Sequence, residues 1–206
     1  MNFDIPLGRG VEYFVEFLMD NFTWLFDFIA MVVGWLATSL ESLLMGLPSW
    51  IMIGVVIVLS LWRLGVRYTL VFLACLVLLV GMDMWDSTMS TLALVLASTV
   101  ASLLVSIPMG IWMAKSDKVE GVVRPILDFM QTMPPFVYLI PAAMFFGLGK
   151  VPGAVATITF CAPPAVRLTN LGIRQVPKEL REAGIAFGCT GMQMLRKVEI
   201  PLALPS

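Results

Sequence analysis

The chain is organised around the stretch Glu182-Ala183-Gly184-Ile185-Ala186-Phe187-Gly188, which is followed by Val198-Glu199-Ile200-Pro201. These residues form a polar, charged island near the end of a very apolar polypeptide. Pro177 suits the start of a helix, because the N–H that proline lacks is one of the donors that the first turn leaves unpaired anyway. Within residues 178–187 the only helix breaker is Gly184. The sequence therefore predicts a short helix over 178–187.

A second helix is predicted to follow after a tight bend. Gly188 is well placed to end the first helix in a left-handed conformation, which glycine adopts without strain. Thr190 and Gln193 then have the spacing of a capping box, in which each side chain pairs with the backbone N–H of the other residue. The second helix would run toward Pro201. We call this predicted helix pair, residues 177–200, the elbow.

One face of the first elbow helix combines small residues with a single aromatic ring. At the helical spacing i, i+3, i+4 and i+7 this face carries Leu180, Ala183, Gly184 and Phe187. Such a face suits docking into a groove, and charged residues lie elsewhere on the helix surface. Charges also surround the GxxxG spacing of Gly184 and Gly188, so we interpret it as a cap and docking surface and not as a membrane dimerisation motif.

The elbow resembles the cytoplasmic EAA loop of ABC importer permeases. The residues that carry the resemblance are Glu182, Ala183, Gly184, Gly188, Val198, Ile200 and Pro201. Gly184 stands where this family usually has alanine, Val198 where it has isoleucine and Ile200 where it has leucine. Glycine at position 184 should loosen the helix by up to ~1 kcal/mol relative to alanine, which leaves a docking role intact.

Two flanking stretches make the resemblance more specific. They are Gln131-Thr132-Met133-Pro134-Pro135-Phe136-Val137-Tyr138-Leu139-Ile140-Pro141 and residues 162–177, and both resemble the glycine betaine/proline-type permease. The resemblance covers roughly residues 88–205. It implies an all-α, polytopic transmembrane permease like those of type I ABC importers. It also implies further membrane helices after residue 206, so we expect the pathway to be incomplete at the carboxyl end of this chain.

The resemblance further implies partners and a way of working. Two permease subunits, as a homodimer, would form the pathway, and an extracellular or periplasmic binding protein would deliver the solute. Two ATPase subunits, which hold the ATP and magnesium, would dock from the cytoplasm and move the elbow as a lever. The residues implied in this coupling are Leu180, Arg181, Glu182, Ala183, Gly184, Phe187, Gly188, Val198, Ile200 and Pro201.

Composition independently indicates a membrane protein. Apolar residues make up 59% of the chain and charged residues 13%, and the mean hydropathy is +0.93. Soluble domains are about 45–50% apolar and about 25% charged. The net charge of −1 hides an asymmetry, because residues 1–50 hold six acids and a single base, Arg9, whereas the remainder is basic.

Reactive chemistry is not indicated by the sequence. The chain has no His, and its three cysteines show no metal-binding spacing. Gly149-Lys150 resembles a P-loop only superficially, because Met144 replaces its first glycine and Val151 its Ser or Thr. We therefore expect a transport subunit with no catalytic residue, metal site, cofactor or ATPase site of its own.

Uncharged stretches predict where the chain crosses the membrane. The predicted spans are residues 42–62, 68–82, 87–114, 129–149 and 154–171. In residues 22–40 only 13 uncharged residues separate Asp27 from Glu41, fewer than the ~20 that a span needs. We favour an interfacial or obliquely packed helix there, with a span as the alternative. The predicted division is an acidic interfacial segment (1–47), a two-helix transmembrane hairpin (48–86) and the first part of a permease core (87–206).

The positions of Lys and Arg predict the orientation in the membrane. If successive turns alternate between the two sides, 11 of the 13 Lys and Arg fall on one side, and only Arg9 and Lys150 remain. By the positive-inside rule the crowded side, which includes the elbow, faces the cytoplasm. We therefore expect a multi-pass protein of the cell membrane.

Prolines within the apolar stretches mark a predicted translocation pathway. Each removes a backbone donor that lipid cannot replace, so broken helices line protein or water. The candidate pathway residues are Gln131, Thr132, Pro134, Pro135, Tyr138, Thr157, Thr159, Pro163 and Pro164. The alternative for any one of them is that threonine bonds its own helix and proline only shapes packing.

The residues and the resemblance together predict a permease subunit of an ATP-driven importer for glycine betaine and proline betaine-type osmolytes. The alternatives are a permease for another substrate class, such as methionine, choline or carnitine, and a channel or secondary carrier that needs no nucleotide. Aromatic rings can bind quaternary ammonium groups. However, most of the tryptophans lie near predicted span ends, where they are more simply interfacial anchors.

Overall fold

The computed structural model describes the backbone of residues 7–204 and, apart from Phe14, the side chains from Tyr13 onward. The side chain of Arg9, which entered the orientation argument, lies outside the described residues. Within residues 7–204 all regular structure is helical. The helices are α1 Leu7–Met45, α2 Ser49–Leu64, α3 Val66–Gly81, α4 Trp85–Lys115, α5 Asp117–Thr132, α6 Phe136–Phe146, α7 Lys150–Arg174, α8 Lys178–Ala186, α9 Gly191–Met194, a π-helical turn Leu195–Glu199 and α10 Ile200–Ala203.

Several of these helices can cross a membrane by length and composition. They are Val15–Met45 within α1, α4 and α7, with the bent pair α5 and α6 as a fourth crossing if the pair counts as one span. An all-α polytopic architecture is therefore confirmed. The chain divides into two units, one of residues up to Ser98 with Leu148–Ala154 and one of Thr99–Gly147 with the residues from Val155 onward. The three-part division expected from composition stays a prediction.

In the first unit, α1 is long enough to cross the bilayer after a kink. Phe22 has non-helical backbone angles (φ −119°, ψ 16°), and the part of the helix that follows is about 34 Å long at 1.5 Å per residue. Glu41, which the sequence argument counted as an unpaired charge, binds Lys150 with its Oε1 2.5 Å from Nζ. This ion pair lowers the cost of placing Glu41 near lipid. Val15–Met45 therefore qualifies as a candidate span, and the interfacial placement of residues 22–40 stays a prediction.

The predicted hairpin of residues 48–86 is present, but its helices are shorter than a perpendicular span. Ser42 to Met45 belong to α1, because Pro48 begins a new helix at Ser49. The predicted span 42–62 is therefore wrong at its start. With 16 residues each, α2 and α3 are about 24 Å long, against a hydrocarbon core of about 30 Å. Gly65, with a φ of +83°, makes the turn between them.

A buried hydrogen bond joins the two helices of this hairpin. Ser60 on α2 and Thr69 on α3 are both buried, and their hydroxyl oxygens lie 3.0 Å apart. The Thr69 hydroxyl also donates to the Gly65 carbonyl at 3.0 Å. The two buried hydroxyl groups of this apolar hairpin are thus hydrogen-bonded, as a low-dielectric surrounding requires.

In the second unit, α4 and α7 pack closely through small residues. The Ser102 hydroxyl donates to the Ile158 carbonyl at 3.5 Å and the Ser106 hydroxyl to the Ala162 carbonyl at 3.3 Å. One turn further on, a Cβ on Gly110 would lie 2.7 Å from the Val166 carbonyl oxygen. Each pair is 56 residues apart in sequence, so these parts of the two helices run parallel. Small side chains at every fourth position allow the close approach, as in many membrane helix pairs.

The predicted span 129–149 is not a single helix, because the chain breaks inside it. Helix α5 continues to Thr132, and α6 begins at Phe136, bent by 100° from α5. Pro134 disfavours a helical Met133, which is extended (φ −87°, ψ 137°). The Tyr138 hydroxyl braces the bend by donating to the Met130 carbonyl at 2.5 Å.

The parallel run of α4 and α7 gives this bent pair a role in the topology. Ile158 of α7 lies beside Ser102 of α4. The chain must therefore run back from Lys115, at the end of α4, to the level of Ser102 before α7 can run parallel to α4. Helix α6 alone, with 11 residues, is only about 16 Å long. We therefore infer that α5 and α6 together form the return crossing as one broken span.

Candidate functional site

The first elbow helix is α8, and it ends as the sequence predicted. Gly188 adopts a left-handed conformation with a φ of +78°. Its N–H donates to the Ile185 carbonyl at 2.9 Å, and the N–H of Cys189 donates to the Gly184 carbonyl at 3.0 Å. These two bonds form a Schellman motif. The bend after α8 is therefore held by backbone hydrogen bonds that need glycine at its centre.

The second elbow helix begins with the predicted capping box. The Gln193 N–H donates to the Thr190 hydroxyl at 3.4 Å, and the Thr190 N–H donates to the Gln193 side-chain oxygen at 2.9 Å. The capping box thus pairs two backbone N–H groups at the start of this helix.

The second helix departs from the prediction beyond its first turn. It passes Pro201 and ends at Ala203, and its middle is the π-helical turn Leu195–Glu199. Ile200 donates its N–H to the Leu195 carbonyl, five residues back. Pro201 has no N–H, and its ring would clash with the carbonyl four residues back in an α-helix. A wider turn before Pro201 relieves that clash, and π-turns of this kind are common at functional sites.

Gly184 lies inside the elbow and not on its outer face. It is buried, and a Cβ at this position would lie 2.6 Å from the Cε and 3.0 Å from the Sδ of Met194. Val198 is the next neighbour, at 3.8 Å. The docking face expected for Leu180, Ala183, Gly184 and Phe187 stays a prediction, but Gly184 itself is covered by Met194. Met194 of α9 and Val198 of the π-turn fold back over Gly184, which helical spacing alone cannot reveal.

Most other residues of α8 are open to solvent. Phe187 is 89% exposed, Ile185 67% and Leu180 43%. The exposed elbow surface, as we define it, consists of Leu180, Glu182, Ala183, Ile185 and Phe187. The sequence analysis missed Ile185, although a large apolar residue beside a motif is itself a signal. Large apolar side chains that remain exposed beside a motif are candidates for an interaction site.

A buried carboxylate attaches the elbow to the rest of the second unit. Glu199 is 2% exposed, and its Oε2 accepts from the Lys115 Nζ at 2.5 Å. Its Oε1 lies 3.4 Å from the Nε of Arg181, whose Nη2 donates to the Ile173 carbonyl at 2.5 Å. Arg181 was expected on the surface, but it is half-buried in this network. The sequence analysis missed Glu199, and the signal was an acid between the apolar Val198 and Ile200.

A second polar cluster ties the end of α7 to the end of α4 and to the start of α5. Arg174 binds Asp117 at 2.7 Å and Glu120 at 2.8 Å, and it donates to the Met113 carbonyl at 3.1 Å. The buried Asn170 donates to Glu120 at 3.1 Å. The elbow is therefore connected to helix ends that are themselves cross-linked by charge-assisted hydrogen bonds.

The remaining predicted coupling residues lie where the elbow meets the core of the second unit. Val198 and Ile200 are half-buried, and Pro201 is exposed. Ile200 lines an apolar cavity of about 280 Å³ together with Ile107 of α4 and Leu168 of α7. These residues support the elbow from within.

The predicted pathway residues are not brought together into one visible passage. The hydroxyl of Thr132 donates to the Phe129 carbonyl and that of Thr159 to the Val155 carbonyl, both at 2.8 Å, as the alternative interpretation expects. Pro163 is fully buried, and Thr157 is half-buried. Gln131, Pro134, Pro135 and Pro164 are exposed. The pathway stays a prediction, with the break at residues 133–135 and its Tyr138 brace as its best-defined feature.

Among the residues that the structure describes, no group of three or more His, Cys, Asp or Glu could hold a metal ion. The membrane-capable helices mark the chain as an integral membrane protein. Comparison with known proteins identifies the family.

Residues 106–206 match the family model of the binding-protein-dependent transport system inner membrane component. The chain is 43% identical to the glycine betaine/carnitine transport permease protein GbuB of Listeria monocytogenes, across 97% of this chain and 72% of that protein. It is 40% identical to the glycine betaine/proline betaine transport system permease protein ProW of Escherichia coli, across 98% of this chain and 57% of that protein. It is 43% identical to the glycine betaine transport system permease protein OpuAB of Bacillus subtilis, across 97% of this chain and 71% of that protein.

The chain belongs to the family of glycine betaine ABC transporter permeases. It is a multi-pass inner-membrane transport subunit, and subunits of this family have no ATPase site of their own. Family membership implies that an ATPase and a substrate-binding protein act with it. The family predicted from the elbow and its flanking stretches is thereby confirmed.

Proposed function

We propose that this chain is the membrane-spanning subunit of an ATP-driven importer for glycine betaine, proline betaine and related osmolytes. The names of the relatives support this substrate class, since they specify glycine betaine, carnitine and proline betaine. The proposed assembly has a second copy of the chain, two ATPase subunits that bind ATP and magnesium, and an external binding protein.

The observation that carries the proposal is the exposed elbow surface beside a rigid bend. Phe187 is 89% exposed, although a bulky aromatic ring gains most free energy when it is removed from water. Its neighbour Gly188 holds a hydrogen-bonded turn. A partner that covers Phe187 and Ile185 would therefore grip a surface whose backbone cannot easily deform. We assign this partner as the ATPase subunit.

The proposed orientation places the elbow in the cytoplasm, where ATP is found. Lys115 and Arg174, at the ends of α4 and α7, and the elbow residues Arg181, Arg196 and Lys197 all belong to one region of the second unit. Such crowding of positive charge favours the cytoplasmic side. Lys150, which departs from the pattern, is paired with Glu41, so its charge is compensated locally.

The proposed mechanism is movement of the elbow as one rigid body. The Schellman motif, the capping box and the contact between Gly184 and Met194 join its two helices. A ligand shifts a conformational equilibrium only as far as it binds the two states differently. Closure of the ATPase pair would supply that difference by contacting the exposed elbow surface differently in the two states, and α4 and α7 would follow. The broken pair α5 and α6 is our candidate for the pathway wall.

Transport assays test the proposed function. The chain is co-expressed with its ATPase and binding protein, and uptake of radiolabelled glycine betaine into proteoliposomes is measured with and without ATP. Uptake that requires ATP supports the importer, whereas equal uptake without nucleotide would indicate a channel or secondary carrier. Binding of labelled proline betaine, choline, carnitine and methionine to the partner binding protein then decides the substrate class.

Replacing Glu182 with lysine is expected to lower ATP-driven uptake by at least about fivefold, in the range of typical coupling free energies. Glu182 is exposed within the elbow surface, so the change reverses a charge at the proposed ATPase contact without disturbing a buried group. Like-charge contacts at an interface select against binding. Copurification of the ATPase with the permease and uptake in proteoliposomes are the measurements.

The matched control for this substitution is Glu179→Lys. Glu179 is an exposed acid in the first turn of the same helix, but it lies outside the motif. Its reversal should affect uptake much less, and both variants should insert into the membrane like the unmodified chain. Unchanged uptake in Glu182→Lys would count against docking at the exposed elbow surface.

A further inference from the structure

Glu199 is a buried acid in the elbow, although most of the elbow's other charged side chains are exposed. It is 2% exposed, and burial of an ionised carboxylate is costly unless the charge is paired and hydrogen-bonded. The structure supplies both requirements, with Lys115 on one carboxylate oxygen at 2.5 Å and Arg181 facing the other at 3.4 Å. Each oxygen thus contacts a cation from a different helix.

These contacts join four segments at a single carboxylate. Lys115 is the last residue of α4, Arg181 lies in α8, and Glu199 is the last residue of the π-helical turn. Arg181 adds the fourth segment, because its Nη2 donates to the Ile173 carbonyl near the end of α7. Movement of either elbow helix must therefore displace this network or carry the helix ends with it.

The helix that follows the elbow contacts α7 independently of this network. Gly172 on α7 lies directly against Ala203 of α10, since a Cβ at position 172 would be 3.3 Å from the Ala203 carbonyl oxygen. The contact of Glu199 with Lys115 is the elbow's ion pair to α4 among the described residues. Loss of the Glu199 charge would thus remove this ion pair to α4 and leave the contact with α7 in place.

We propose that Glu199 is a positioning residue that transmits elbow movement to α4, so that α4 and α7 move together when the ATPases close. This proposal rests on the proposed function of the elbow. The parallel pair approaches closely at Gly110, and closely packed helices transmit displacement because interiors deform little. The partner of Glu199 in this role is Lys115, and Arg181 adds a second positive charge 3.4 Å from the other carboxylate oxygen.

The test measures ATP hydrolysis and glycine betaine uptake side by side in proteoliposomes that contain the complete complex with ATPase and binding protein. The variants are Glu199→Gln, Lys115→Met and the two combined. Both single variants should still copurify with the ATPase and hydrolyse ATP, while uptake per ATP hydrolysed falls at least about fivefold. The double variant should lose no more than either single variant, because both changes break the same link.

The conservative variant Lys115→Arg provides the rescue control, since it keeps a positive charge opposite Glu199. Its uptake per ATP should stay close to that of the unmodified complex. The double variant also guards against misfolding, because it leaves neither Lys115 nor Glu199 as a charge without its partner.

Two results would overturn the proposal. One is unchanged uptake per ATP in Glu199→Gln and Lys115→Met. The other is a proportional fall of hydrolysis and uptake with loss of assembly in the single and double variants alike, which would make Glu199 a residue for folding only. Failure of the proposed function would look different, since the unmodified complex would then fail to bind the ATPase or to accumulate glycine betaine with ATP.

Discussion

Replacing Gly188 with valine is expected to reduce ATP-driven uptake at least about tenfold while leaving membrane insertion intact. Gly188 has a φ of +78°, where an L-residue with a Cβ is strained by about 1–2 kcal/mol and a β-branched residue by more. A Cβ at this position would meet no atom within 4 Å. The expected effect therefore comes from backbone strain and not from a clash.

A valine at position 188 would escape this strain by leaving the left-handed conformation. The two hydrogen bonds of the Schellman motif, from residues 188 and 189 to Ile185 and Gly184, would then be lost. Helix α9 would leave the bend in a different direction, so that Met194 no longer packs on Gly184. Because the proposed mechanism moves the elbow as one body, we expect coupling to be lost while the membrane helices stay unaltered.

Two control variants separate the bend from a general effect of substitution. Gly188→Asn should keep most of the uptake, because asparagine tolerates the left-handed region. Gly191→Ala should also be mild, since Gly191 lies just beyond the bend and a Cβ there would meet nothing within 4 Å. Uptake in proteoliposomes and the membrane fraction of each variant are measured together. Full uptake by Gly188→Val would contradict the rigid elbow.

Replacing Gly110 with alanine is expected to destabilise the protein by about 1–3 kcal/mol, the usual cost of overpacking. A Cβ at Gly110 would lie 2.5 Å from the Cβ of Thr169 and 2.7 Å from the Val166 carbonyl oxygen. Both neighbours are backbone or backbone-attached atoms of α7 and cannot swing away. The parallel pair α4 and α7 would have to separate, which would also weaken the Ser102 and Ser106 hydrogen bonds.

The thermal unfolding midpoint in detergent measures this effect. A loss of 1–3 kcal/mol corresponds to a fall of about 2–12 °C for a chain of this size. The matched control is Gly121→Ala on α5, where a Cβ would meet nothing within 4 Å. That change should stabilise the helix by about 0.5–1 kcal/mol. If both alanines raised the midpoint equally, the close packing of α4 on α7 would be wrong.

The bend of the elbow was predictable because its hydrogen bonds are local. The Schellman bonds around Gly188 and the capping box of Thr190 and Gln193 each join residues no more than five apart, so the residue types and their spacing suffice to specify them. The coupling role of these residues stays a proposal, since neither the spacing nor the fold tests it.

The membrane spans were less predictable from composition. Apolar stretches 42–62 and 129–149 were each expected to form one crossing, but Pro48 divides the first and the Pro134-Pro135 pair bends the second. Hydropathy averages over about 20 residues, whereas a helix can end at one residue through a missing donor or a disfavoured backbone angle. The span limits therefore depended on single prolines that the averages conceal.

The sequence by itself determined the helical class, the membrane character, the asymmetry of positive charge and the glycine-centred bend. Tertiary structure alone decided that Gly184 faces inward, that Glu41 meets Lys150 and that Glu199 is buried between Lys115 and Arg181. The physical reason is the range of the interactions. Composition and charge can be read directly from the residue types, and capping depends on residues only a few positions apart. These ion pairs instead join residues as far as 109 positions apart. Only the packing of the folded helices brings such partners together.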